Sequence, residues 1–474
     1  MILFAFPNNE LFGRYFSNKD IIYLCNDGWY IYDENKKDRV FYLFEILYPF
    51  LEDLDLIKIK DQLNWWSPIF NRWTSHSFKY EDYRVDSINI ILKLYSGLVK
   101  YKITKVVNFT AIPHHIDSLL LSIAAKANSC EELHLYANVF DGRLIPISQF
   151  SENSSRSTTT KISSKVDYRE ILKDFISNKL NGNPPKLNTK VNKYKKSYYL
   201  ALFYLIFLSI SNSIRLILPR KKLYNSIFDF FIETNFYENV KMLTSQKLYL
   251  SKFDNIKLSL DRSYETLRGS EVLFVLAAHF QPEATSFPEG GNWASHIEIL
   301  YKLKSMGISN IAYKEHPATR LYFDKIVGMT KVGMYRSKSY LNKLIELNCL
   351  ILDERVNLSI SDSLCENYFP ITITGTIALE RSLAGLKTIV VGEPWFKGLP
   401  GIYSFDDLAN IKNQINFDFL KIDIQIAQKS TEFLLNLLND KTLDNYLGIG
   451  TGKPLNSSEE KEKFFKSLDI LLKI

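Results

Sequence analysis

Five short apolar runs in the second half of the chain constrain its fold most. They occupy residues 272–277, 311–314, 350–353, 371–374 and 388–391. Stretches of helical period at 296–306, 337–347 and 377–384 separate several of them. Near-continuous apolar runs of this length suit strands buried on both faces. Strand–helix–strand alternation makes a parallel sheet with right-handed crossovers. In an open sheet of this kind, ligands bind beyond the carboxyl ends of the strands.

The first half repeats the rhythm. Residues 1–6 read as a buried strand that Pro7-Asn8-Asn9 ends, with no basic stretch before it, so no secretory signal is expected. A strand at 106–110, a turn at 112–115, a helix at 117–126 and a strand at 132–137 make a βαβ unit. Residues 151–195 change character. Ser and Thr dominate 151–164, and Asn181-Gly182-Asn183-Pro184-Pro185 breaks regular structure, which predicts a flexible excursion. Helical character runs through 198–252.

At 474 residues the chain exceeds one hydrophobic core. We divide it into an N-terminal α/β domain (1–260), a C-terminal Rossmann-like domain (261–450) and a terminal helix (451–474). The first carries the excursion 151–195 and a hydrophobic segment, 198–218. Two Rossmann-type domains facing across a cleft is the GT-B arrangement. A two-domain epimerase or a periplasmic-type binding fold would share the rhythm.

The charge balance is mild, with Lys and Arg at 59, Asp and Glu at 52, and a net charge of +7. That argues against a nucleic-acid partner and suits an anionic small substrate or a membrane surface. Cys25, Cys130, Cys349 and Cys365 are widely spaced and form no CxxC pair, so a disulfide framework or zinc site is not expected and a reducing cytoplasm fits. Residues 198–218 are strongly apolar, with Lys190, Lys193, Lys195 and Lys196 before them and Arg220, Lys221 and Lys222 after them. Ser209, Ser211, Asn212, Ser213 and Arg215 interrupt the second half. Spanning a bilayer, lying on its surface and packing inside the protein are the three readings.

Candidate chemistry follows the strand runs. Thr374-Gly375-Thr376 lies between a strand and a helix. Glycine permits a tight turn, helix-end amides face an anion, and Thr376 is suited to cap the helix. Glu380 falls one turn on, placed for ribose hydroxyls. The plainer alternative is a neutral helix cap with a surface glutamate. Lys314-Glu315-His316-Pro317 ends another strand, where Pro317 stiffens the turn and His316 can meet a phosphate or a leaving group. Gln281-Pro282-Glu283 follows the first run, and Pro282 would hold Glu283 as a fixed carboxylate. His114, His115 and Asp117 occupy the matching strand end of the first half, as acceptor-side candidates or as a polar helix cap. Asp53-Leu54-Asp55 matches DxD, which we read as surface charge.

These motifs, with Phe287-Pro288-Glu289-Gly290-Gly291 and Gly398-Leu399-Pro400-Gly401, resemble in order and spacing the capsule polysaccharide synthesis family. Its best-understood members are retaining β-Kdo transferases with QPE and HP motifs. The likeness covers about residues 272–403 and is loose before that. It implies a GT-B glycosyltransferase using a CMP-activated ulosonic acid such as Kdo. Glu283 would be the nucleophile or base. His316 would assist departure of the CMP phosphate. Gln281, Pro282, Lys314, Pro317, Thr374, Gly375 and Thr376 would bind donor, and Glu380 its ribose. Lys314, Arg320 or Lys397 would meet the sugar carboxylate. No metal or cofactor is implied. The acceptor would be a glycan or lipid-linked glycan at the inner membrane face, with the protein cytoplasmic and peripheral there. A UDP-sugar transferase or 2-epimerase, and a non-catalytic membrane-assembly subunit, are the alternatives.

Overall fold

The computed structural model describes residues 1–5, 9–15, 17–25, 28–43, 56–65, 80–109, 116–137, 143–151, 154–157, 169, 172–173, 175–177, 198–217, 236–269, 271–281, 289–324, 328–329, 332–359, 367–441, 443–444 and 458–473. Two large sheets organise them.

The first sheet contains β1 (Ile2–Ala5), β2 (Ile21–Cys25), β3 (Gly28–Asp33), β4 (Asp38–Leu43), β5 (Lys105–Asn108), β6 (Glu131–Ala137), β7 (Arg143–Ser151) and β8 (Ser154–Ser157). β6, β5, β1 and β2 run parallel at its centre, and antiparallel strands form the edges. Successive side chains of β1 serve opposite cores, as strand geometry requires. Leu3 and Ala5 meet helices α1 (Leu56–Trp65), α2 (Tyr80–Lys100) and α3 (Ile116–Ala127). Phe4 points the other way, toward Phe464, Phe465 and Leu468 near the chain's end. β8 pairs antiparallel with β7, so residues 154–157 are strand, not loop as their composition predicts. The edge of β7 supplies the ladder that the Ser-rich run of β8 alone would not nucleate.

The second sheet consists of β9 (Leu273–Ala277), β10 (Ile311–Lys314), β13 (Leu350–Leu352), β14 (Tyr368–Thr372), β15 (Thr388–Val390) and β16 (Ile402–Tyr403). The short pair β11 (Phe323–Asp324) and β12 (Gly328–Met329) lies outside it. All neighbours are parallel, in the order β13-β10-β9-β14-β15-β16. Counted within the sheet this is 3-2-1-4-5-6, the Rossmann order. The order reverses between β9 and β14. β14 starts three residues earlier than predicted. Pro370 lies within the strand, opposite Val275.

Helices α4 (Tyr198–Ile217), α5 (Phe236–Ile256), α6 (Leu260–Leu267), α7 (His296–Ser305), α8 (Lys338–Glu346) and α9 (Thr376–Leu383) follow in chain order. α5, α7 and α8 cover one face of the second sheet through Tyr249, Phe253, Ile299 and Leu341. Leu267 from α6 packs on the other, beside Leu273 and Val275. α10 (Ile424–Lys441) packs on α9. The chain then returns to the first sheet. β17 (Leu443–Asp444) extends β7, and α11 (Ser458–Leu472) buries Phe464 and Leu468 there. α4 settles one of the three readings of segment 198–218. Among the described residues, no helix is long and apolar enough to cross a membrane.

Candidate functional site

β9 and β14 meet at the switch point of the sheet, and their carboxyl ends are bonded to each other. Thr372 Oγ1 lies 2.9 Å from His279 Nε2. The Thr374 amide donates to the same nitrogen at 3.2 Å, and the Gly375 amide donates to Thr372 Oγ1 at 3.2 Å. Nε2 is therefore the acceptor of a neutral ring. Burial and the nearby Arg336 guanidinium pull the His279 pKa down to about 4, which agrees. His279 was not predicted as a site residue, although it follows its strand by two residues, as the other motifs do.

These bonds reshape the expected amide nest. The Thr374 and Gly375 amides are already used. Gly375 is the N-cap of α9, and no side chain caps it. Thr376 is the first helical residue rather than the cap, and its hydroxyl donates to Glu380 Oε1 at 3.2 Å. The strand stops at Thr372, so the turn reaches Gly375 before helical geometry starts. The amides of Thr376 and Ile377 have no partner among the described residues. Glu380 is buried and also accepts from Ser359. A Cβ on Gly375 would meet Thr372 Oγ1 at 2.5 Å, so the close turn needs glycine.

The neighbouring strand end, after β10, carries Lys314 to Pro317. His316 Nδ1 accepts from the Ala318 amide at 3.1 Å. The ring proton is then on Nε2. The ring is hemmed in by protein yet keeps part of its surface open, as in a concave wall. Burial, with smaller contributions from Lys314, His279 and Arg336, lowers its pKa to about 3. At neutral pH it is thus a neutral donor, not an imidazolium. Phe280 lies 5.9 Å from it, ring to ring. Lys314 is half-buried, and burial lowers its pKa to about 8 against the pull of Glu315, Glu354 and Asp353. Among the described residues its ammonium has no hydrogen-bond or ion-pair partner.

Glu315 and Gln281 face inward and share Arg336. The guanidinium donates to both Glu315 oxygens, to Gln281 Oε1 at 2.7 Å and to the His279 carbonyl at 3.1 Å. Gln281 in turn donates to the Ala294 carbonyl at 2.8 Å. Tyr249 and Tyr313 donate to Glu315 Oε2 at 2.6 and 2.8 Å, and the His316 amide donates to Oε1 at 2.7 Å. Burial raises both phenol pKa values well above their usual range, so the hydroxyls stay donors. Arg336 thus locks the loops after β9 and β10 together. Nothing local in the sequence marks it, since it stands alone before a helix.

The loop after β15 closes in from the other side. Glu393 donates its amide to the Glu289 carbonyl at 2.8 Å, which ties the 289–291 glycine loop to the rim. Arg320 and Lys397 are already engaged. Arg320 bonds Glu354 and Asp254, and Lys397 pairs with Glu393. Of the three proposed cations, Lys314 is the one left for a ligand among the described residues. Pro282, Glu283, His114, His115 and Asp53 to Asp55 lie outside the described residues, and for Asp117 only its place in the first turn of α3 is described.

The described residues hold no group of three or more acidic, His or Cys side chains able to bind a metal. The arrangement offers donors and one cation on the two strand ends that flank β9. Two strand spacings, about 10 Å, separate the ends of β10 and β14.

Among solved structures, the chain is similar to the UDP-GlcNAc 2-epimerase from Neisseria meningitidis bound to UDP-GlcNAc. The identity is 12%, the TM-score 0.21, and the alignment covers 78% of this chain and 84% of that one. No protein-family model and no curated protein matches the sequence.

Proposed function

We propose that the protein is a GT-B-like glycosyltransferase that moves a sugar from a nucleotide donor to a surface glycan. One observation carries this reading. A Rossmann-ordered sheet has free donor groups on the two strand ends that flank β9 at its switch point, where such sheets bind nucleotides. His316 would donate through Nε2–H to a phosphate oxygen, Lys314 would supply charge, and the Thr376 and Ile377 amides would face the same anion. Glu380 would hold the Thr376 hydroxyl in place and share its carboxylate with a ribose.

The motif resemblance favours a CMP-activated ulosonic acid such as Kdo. The bond broken would join the anomeric carbon to the CMP phosphate, and the electron pair would leave with the phosphate. Glu283 would attack that carbon to give a glycosyl ester, which the acceptor hydroxyl then displaces with loss of its proton to solvent. As a base it would instead take that proton while the acceptor oxygen attacks the carbon directly. The acceptor would be a glycan or lipid-linked glycan, with the enzyme cytoplasmic at the inner membrane face.

Thermal unfolding with CMP, UDP or GDP tests the reading on wild type and His316→Ala. Saturation at about 100 times Kd adds roughly 2.7 kcal/mol, a shift of several degrees. A CMP-selective shift that His316→Ala abolishes is the expected result and leads to CMP-Kdo turnover. A UDP-selective shift would replace this donor by a UDP-sugar. No shift with any nucleotide would overturn the donor site.

A further inference from the structure

Helix α4 has two unlike faces. Tyr198, Ala201 and Leu205 turn inward and pack on Leu243 and Val240 of α5. Tyr199, Leu200, Phe203, Ile206 and Phe207 recur at three- and four-residue intervals on the other side. All five are exposed, Phe203 and Tyr199 by 71% and 70%. A stripe of large apolar side chains facing water marks an interaction surface.

The charge of the sequence on either side of this helix points to its partner. From Phe175 to Phe228 the sequence has ten Lys and Arg and no Asp or Glu. The whole chain is only +7, so the remainder is slightly acidic and the positive charge is concentrated here. Within the described structure, Lys247 Nζ stands 4.3 and 5.0 Å from the ring centroids of Tyr198 and Tyr199. A cation thus borders the aromatic stripe. An apolar helix face in a stretch of sequence that carries basic but no acidic residues is what an anionic bilayer surface attracts.

We infer that α4 lies in the interface of an anionic membrane, with Phe203 and Phe207 inserted and Lys247 at the headgroup edge of the stripe. This deepens the membrane location given above, yet it rests on the helix and its charge. A failed nucleotide experiment would leave it standing.

Cosedimentation of the full chain with phosphatidylcholine vesicles, with and without phosphatidylglycerol, tests it. Wild type should sediment with the anionic vesicles, less so as salt rises. Phe203→Ser with Phe207→Ser should lower the partition coefficient by roughly tenfold or more per phenylalanine. Its melting temperature should stay unchanged, because both rings are already exposed. Lys195→Gln with Lys196→Gln should weaken binding and its salt dependence together. Equal binding by the double serine variant would overturn the inference, as would equal affinity for neutral vesicles. A wild-type dimer that this variant dissociates, without vesicle binding, would assign the face to a second copy and overturn it too.

Discussion

Arg336 Nε donates to Glu315 Oε2 at 2.6 Å, and neither side chain is more than 1% exposed. The pair joins three elements, since Glu315 follows β10, Arg336 precedes α8, and Tyr249 of α5 donates to the same carboxylate. A buried ion pair adds little over an apolar replacement, but breaking it strands a charge. Arg336→Met should therefore cost about 3–5 kcal/mol in urea unfolding. Adding Glu315→Leu should recover part of that loss, so the double variant costs less than the sum of the singles. Strict additivity would show that the pair is not coupled.

Gly392 is a steric contact between the glycine loop and the switch point. A Cβ there would lie 2.7 Å from the Glu289 carbonyl, 2.8 Å from Thr374 Cγ2 and 2.9 Å from the Ile373 carbonyl. Two of these are backbone atoms that cannot swing away. Gly392→Ala should cost about 1–3 kcal/mol and weaken any nucleotide shift, because Thr374 must move. Gly13→Ala, where nothing lies within 4 Å, is the control and should be near neutral. Similar melting temperatures for the two variants would refute the crowding argument.

The sheet rhythm was legible because buried parallel strands leave apolar runs and their turns leave Gly, Pro and His. Lys314 to Pro317 and Thr374 to Thr376 both stand at strand ends as read. The roles within those motifs were less legible. Glu315 looks like a loop carboxylate beside His316, yet it is fully buried, because only its partner 21 residues away explains it. Thr376 was expected to cap its helix. One residue of register makes Gly375 the cap and turns Thr376 toward Glu380. Contacts between distant loops, such as Arg336 with Gln281, leave no periodic trace in a single sequence.

His279 and His296 are buried neutral, and this sets a pH trend. Burial lowers the first to about 4 and the second well below its usual value. Their folded pKa values lie below the unfolded value near 6.5, so the unfolded chain binds more protons under that pH. Stability is therefore full above about pH 6.5 and falls as pH drops toward the folded values. Between about pH 6.5 and about 5, most carboxylates are still ionised and histidines dominate the slope. Each buried histidine adds about 1.4 kcal/mol per pH unit there. His279→Gln, whose amide oxygen can still accept from Thr374, should reduce the slope by about that amount. An unchanged slope in urea titrations would mean that His279 protonates in the folded state.

Lys314 gives two opposite pH trends. Its folded pKa of about 8 lies below the unfolded value near 10.5, so the unfolded chain binds more protons between them. Lys314 therefore makes the free protein more stable as pH rises through that window. Anion binding needs the ammonium, so the nucleotide-induced melting shift should shrink from about pH 7.5 to about 10. The nucleotide phosphate is fully ionised throughout, so its own titration does not interfere. Lys314→Arg should hold the shift constant, because a guanidinium stays charged. Lys314→Met should lower affinity by about 10- to 100-fold near pH 7, the worth of a charged hydrogen bond of about 1.5–3 kcal/mol, and the gap to wild type should close as pH rises toward about 10. A wild-type shift that stays flat to about pH 10 would remove Lys314 from the ligand's reach.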